Sequence, residues 1–133
     1  MDDRREAAVS DPVTVIRASE RIQPPEGQTP GMIREEAIAG GNVWVGLVRT
    51  EPGMVSGWHH HNDHETYFYV LSGKARLEFG PGGKDVVEGA PGDWMHVPRE
   101  TIHRESNPST EEAQLALVRV GTGEVVVNVD GPE

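Results

Sequence analysis

Cysteine is absent from all 133 residues, so neither a disulfide framework nor a thiolate metal site can form, and histidine and carboxylate are the strong metal ligands left. Positive charge is scarce. Twelve basic side chains against twenty-two acidic ones give a formal net charge of -10, the wrong sign for tracking a phosphate backbone or an anionic membrane surface. Nucleic acid and membrane are therefore not expected as partners. The amino-terminal MDDRREAAVSDP has no apolar signal region, and no later run approaches membrane-spanning length, which makes a cytoplasmic location the expectation. No stretch carries a helical apolar stripe.

What is present is punctuation. Sixteen glycines and ten prolines separate short apolar runs, the pattern of strands joined by turns. The length suits one domain, able to bury about two-thirds of the surface of its unfolded chain. Residues 1–12, charged and ending at Pro12, read as a flexible tail, and residues 13–133 as a single domain. Strands are expected over VTVIRA (13–18) and NVWVGLVRTE (42–51), with MIREEAI (32–38) open between a strand and a helical turn. The runs at 66–71 and 74–79 read as a hairpin, Ala75, Leu77 and Phe79 sharing one face. Further short strands are expected near 85–89, 93–97, 101–105, 114–120 and 124–129. About ten short strands in one domain indicate an all-β sandwich or barrel.

The six histidines fall in two segments only. His59, His60, His61 and His64 lie in GMVSGWHHHNDHETYFYVLSG (53–73), beside Asp63 and Glu65; His96 and His103 lie in GDWMHVPRETIHRESN (92–107). Residues two apart on a strand point to the same face, so His59 and His61 can converge on one point while Trp58 and His60 face away. Neutral imidazole suits Zn, Cu, Fe and Ni, and an added carboxylate with open positions is the pattern of non-haem iron and related sites. His96 reads as a hydrogen-bonded structural histidine. Trp58, Trp94, Tyr67, Phe68 and Tyr69 read as core and barrel wall, and Arg99, Arg104 and Arg119 as solvated.

The second segment resembles the second motif of the cupins: Gly92, five residues, Pro98, one, Glu100, two, His103, three, Asn107. Glu100 stands where that family has glycine. The first segment resembles the first cupin motif through Gly53, His59, His61 and Gly73, and YVLSG (69–73) is similar to the family's ending. The resemblance covers roughly residues 40 to 125, and two motifs in the right order are more specific than either alone. It implies a jelly-roll barrel (double-stranded β-helix), often dimeric, holding one divalent transition metal (Fe, Mn, Ni or Zn) with His59, His61 and His103 as ligands. Counting back from Gly73 places Thr66 where the family's glutamate ligand belongs. Either a bulge turns Glu65 inward, or His64, which shares the parity of Thr66, takes the place; Glu65 is preferred because its charge partly neutralises the ion. The family includes dioxygenases, isomerases, epimerases, decarboxylases, polyketide cyclases and non-catalytic binding proteins. The expectation is a metal-dependent enzyme of oxygenase or isomerase/cyclase type acting on a small molecule, or else a non-catalytic binding or structural cupin.

Overall fold

The computed structural model describes residues 12–25 and 28–133; nearly all of the expected tail lies outside them. Among the described residues there are ten strands: β1 (Met32–Gly40), β2 (Val43–Thr50), β3 (His59–His60), β4 (Glu65–Ser72), β5 (Ala75–Phe79), β6 (Asp85–Gly89), β7 (Trp94–Val97), β8 (His103–Ser106), β9 (Ala113–Val120) and β10 (Val127–Asn128). They form two antiparallel five-stranded sheets, ordered β1-β2-β9-β4-β7 and β10-β3-β8-β5-β6. This is the jelly-roll architecture.

Each sheet turns one face to the other, so period-two burial follows from the pleat. Thr66, Phe68 and Val70 of β4 point inward, as do Leu115, Leu117 and Arg119 of β9. Val48, Phe68, Val70, Leu77, Val97, Leu115 and Leu117 make one apolar cluster between the sheets. Full burial of each such side chain contributes about 1.5–3 kcal/mol. At the strand β4 terminus, Gly73 adopts φ 71°, and a Cβ there would fall 2.6 Å from the Ala113 Cα. Only glycine fits both demands.

One open expectation is settled and others change. MIREEAI is strand, since its alternate residues Met32 and Arg34 are buried between the sheets. VTVIRA is not: residues 13–17 have no sheet partner, a short 3-10 turn covers Ala18–Glu20, and Val13, Val15 and Ile16 are exposed. A β-rich composition makes a strand only where an edge is available to pair with. Segments 66–71 and 74–79 do not form a hairpin either. β4 pairs with β7 and β9, while β5 pairs with β6 and β8. The Ser72-Gly73 turn therefore carries the chain from one sheet to the other, which alternation alone does not distinguish from a hairpin. Among the aromatic residues, Phe68 is core, but Trp94 and Tyr67 lie on the outer face, Trp94 at 74% exposure.

Candidate metal centre

His59 and His103 are directly opposite each other in the β3-β8 pair, so their side chains share the inward face of the second sheet. His61 follows two residues after His59, and Glu105 two after His103. The result is a group of three imidazoles and one carboxylate whose donor atoms all lie within 4.8 Å of one another. The ring centroids are 4.4 to 5.0 Å apart. His59, His61 and His103 are all buried.

The hydrogen bonds around the rings fix their chemistry. His59 Nδ1 meets the Gly57 carbonyl at 2.9 Å, His61 Nδ1 that of Val125 at 2.6 Å, and His103 Nδ1 that of Thr101 at 2.8 Å. A carbonyl only accepts, so each Nδ1 carries the proton and a neutral ring presents a lone pair at Nε2. Opposite sit the Glu105 Oε2, 3.1 Å from His59 Nε2 and 3.3 Å from His103 Nε2. Burial disfavours the ionised form of Glu105, but its interactions with His103 and His59 outweigh that and hold its pKa well below the ordinary value. His61 is pushed down to about 2, by burial first and the Arg119 charge second, and is neutral at pH 7.

Acceptors converging on acceptors require positive charge between them, either protons or a cation. Ligand bonds of about 2.0–2.2 Å from a common ion span up to about 4.4 Å between opposite donors, so the group needs only a few tenths of an ångström of closure to hold one. The carbonyl partners of the three Nδ1 atoms are the orienting groups usual for metal-bound histidine. The residues present fit a divalent transition ion.

The structure brings His59, His61 and His103 together but places the other two ligand candidates elsewhere. Glu65 keeps the regular register of β4, opposite Val120, and the strand's only register shift lies further on, between Val70 and Ser72. With no bulge, Glu65 points outward while Thr66 points in. Its carboxylate accepts from His96 Nε2 at 2.5 Å and from Arg99 N and Nε at 3.1 and 2.9 Å, and the His96 bond first, then Arg99, lower its pKa to about 2. His64 is buried, its Nε2 bonded to the Gly123 carbonyl at 3.1 Å, outside the histidine group. The carboxylate beside the imidazoles is Glu105. Sequence reasoning missed it, although His103-x-Glu105 has the same parity signal as His59-x-His61.

Two cavities meet at the site. An inner one of about 10 Å³ is lined by His61, His103, Glu105, Thr66, Arg34 and Arg119 among others. A mouth of about 410 Å³ is lined by Trp44, Val125, Val126 and Glu36, and shares Arg34 and Arg119 with the inner one. Trp44 Nε1 donates to Glu36 Oε1 at 2.9 Å, and its ring lies across Gly46, where a Cβ would come within 2.5 Å of it. Arg119 is not solvated as expected: it is 3% exposed, and burial, with the Arg34 charge, lowers its pKa to about 10 against the opposing pull of Glu105. Arg99 pairs with Asp63 and Glu65, and Arg104 with Glu78 while lying over the Trp58 ring.

Residues 46–119 match the profile of the family described as Cupin domain. The chain is a cupin. This cupin shares its fold with the polyketide cyclase RemF from Streptomyces resistomycificus, at TM-score 0.72 and 18% identity over 88% of this chain and 85% of that one. KdgF from Halomonas sp. superposes at TM-score 0.64 with 19% identity, covering 82% and 96% of the two chains. A putative sugar phosphate isomerase from Acidithiobacillus ferrooxidans is 30% identical at TM-score 0.56, over 70% of this chain and 62% of that one. A search of curated protein sequences finds no match. The cupin frame also explains Glu100. It stands at the family's glycine position and has φ 58°, a left-handed conformation that costs a non-glycine residue about 1 kcal/mol.

Proposed function

We propose that this cupin is a mononuclear metal-dependent enzyme of oxygenase or isomerase/cyclase type, acting on a small organic molecule, with His59, His61, His103 and Glu105 as ligands. The observation that carries this reading is the convergence of three Nε2 lone pairs and a carboxylate beside a cavity that opens to solvent. A divalent ion bound there would supply a Lewis acid or, as iron or manganese, a redox centre. The chain's own part is to orient: the Gly57, Val125 and Thr101 carbonyls hold the imidazoles, and Trp44 and Val125 wall the entry. Protein purified without an affinity tag is expected to carry close to one transition ion per chain and to show oxygen uptake or isomerisation, in a small-molecule screen, that chelation removes. The small inner cavity favours a second reading, a non-catalytic binding or structural cupin. Stoichiometric metal with no turnover anywhere in the screen would select it.

We also propose self-association as a homodimer. Tyr67 and Leu71 of β4, Trp94 of β7 and Val118 of β9 lie on the same outer face of the first sheet, all exposed, and an apolar patch of this kind marks a contact surface. Light scattering at micromolar concentration is expected to return twice the chain mass of 14.5 kDa, and Trp94→Glu to return one chain mass.

A further inference from the structure

β9 is the middle strand of the first sheet, and Arg119 stands on it in register with Trp44 on one side and Thr66 on the other. All three point inward. Arg34, on β1, reaches the same two cavities. The guanidinium groups thus form the partition between the mouth and the histidine chamber. Among the described residues, the buried Nε of Arg119 has no hydrogen-bond partner, and neither has the buried hydroxyl of Thr66. A buried donor on a cation is costly to leave unmade, and both unmade groups face the same small space.

The charges lining the inner chamber are equally one-sided. Arg34 and Arg119 bring two guanidinium groups to its lining against the single carboxylate of Glu105. This lies inside a protein whose net charge is -10. The excess is local and buried, where solvent screens it least. At the mouth Glu36 and Glu124 balance Arg34 and Arg119, while Trp44, Val125 and Val126 offer apolar surface there.

We propose that the mouth selects a small organic monocarboxylate, its carboxylate received by Arg119 and its uncharged body lying against Trp44 and Val125, while the inner cavity, of about one water's volume, lets a water bridge that carboxylate to the Thr66 hydroxyl. This rests on the metal-centre reading only for what happens next to the carboxylate; the anion site itself is made by Arg119. A planar carboxylate suits a guanidinium's paired donors and needs less room than a tetrahedral phosphate. Glu36 and Glu124, beside the ligand's uncharged body, disfavour a second negative charge there.

Calorimetric titration of the full chain, metal-free and zinc-loaded, with benzoate, benzamide and inorganic phosphate separates the outcomes. Benzoate is expected to bind both forms, zinc-loaded more tightly. Benzamide is expected to bind about 10- to 100-fold more weakly, the loss appropriate to a charge-assisted hydrogen bond. Arg119→Gln is expected to lose benzoate affinity by a similar factor while zinc affinity stays within about threefold. Benzamide binding as well as benzoate, phosphate binding more tightly than benzoate, or no benzoate binding to either form would each overturn the proposal, and none of these comparisons needs a variant that folds. If the wild-type chain takes up no zinc yet binds benzoate through Arg119, the metal reading fails and the carboxylate site stands. If zinc binds stoichiometrically and benzoate does not bind, the carboxylate site fails alone.

Discussion

Replacing His103 with alanine is expected to lower metal affinity by about 100-fold or more. Structural zinc sites bind with roughly 10–16 kcal/mol; divided over four ligands that is about 3 kcal/mol each, or about two powers of ten. Glu105→Gln should lose as much, because the amide keeps the shape but withdraws the negative charge that faces the three imidazoles. Substituting His59, His61 and His103 together should abolish stoichiometric metal. The informative contrast is Glu65→Gln. Its carboxylate is committed to His96 and Arg99 on the outer side of β4, so metal affinity is expected to change by less than about threefold, and His64→Ala likewise. Competition against a chromophoric chelator, with circular dichroism confirming that each variant is folded, measures all five. A large loss in Glu65→Gln beside an unchanged Glu105→Gln would exchange the two carboxylates and refute the site as described.

The second large effect is expected far from any metal. Asn107 is fully buried. Its amide nitrogen donates to the carbonyls of Thr50, Glu51 and Glu111 at 3.2, 3.3 and 2.9 Å, and its Oδ1 accepts from Ser109 N at 3.0 Å and from Ser109 Oγ at 2.6 Å. One side chain thus ties the end of β2, the turn after it and the loop leading into β9. Asn107→Ala strips these bonds at once; the Glu51 and Glu111 carbonyls keep Met54 N and Ser109 Oγ as donors, while the buried Thr50 carbonyl loses one, and an unmade buried bond costs about 1–3 kcal/mol. The expected cost is about 3–4 kcal/mol in urea unfolding, a large share of the roughly 5–15 kcal/mol typical of a domain. Asn107→Asp should be no better, since it keeps the acceptor but loses the donors and buries a charge. A cost below about 1 kcal/mol would show that the loop is held by its backbone bonds alone, Asn107 N to the Met54 carbonyl and Gly53 N to that of Asn107.

By itself the sequence determined the class of fold and the family, because both rest on local patterns. Period-two alternation in segments such as 74–79, turn residues between them, and the spacing of His59, His61, His103 and Asn107 are properties of neighbours along the chain. The pairing of His59 with His61 was legible for the same reason, since strand parity is set by the pleat. Which sheet a strand joins is not local. β4 and β5 alternate in the same way whether they form a hairpin or cross between sheets, and only the partners β9 and β8 decide. The same limit hid the carboxylate: Glu65 and Thr66 are adjacent, and a one-residue irregularity would exchange their faces, so the regular register opposite β9 had to be seen before Glu65 went outside and Glu105 remained. Arg119 shows it most plainly. In QLALVRV Arg119 shares parity with Leu115 and Leu117, but Ala116, Val118 and Val120 make the other face apolar as well, so the run alone does not say which face is buried; that is decided by β9 being the central strand of its sheet, where every inward side chain, charged or not, is taken out of solvent.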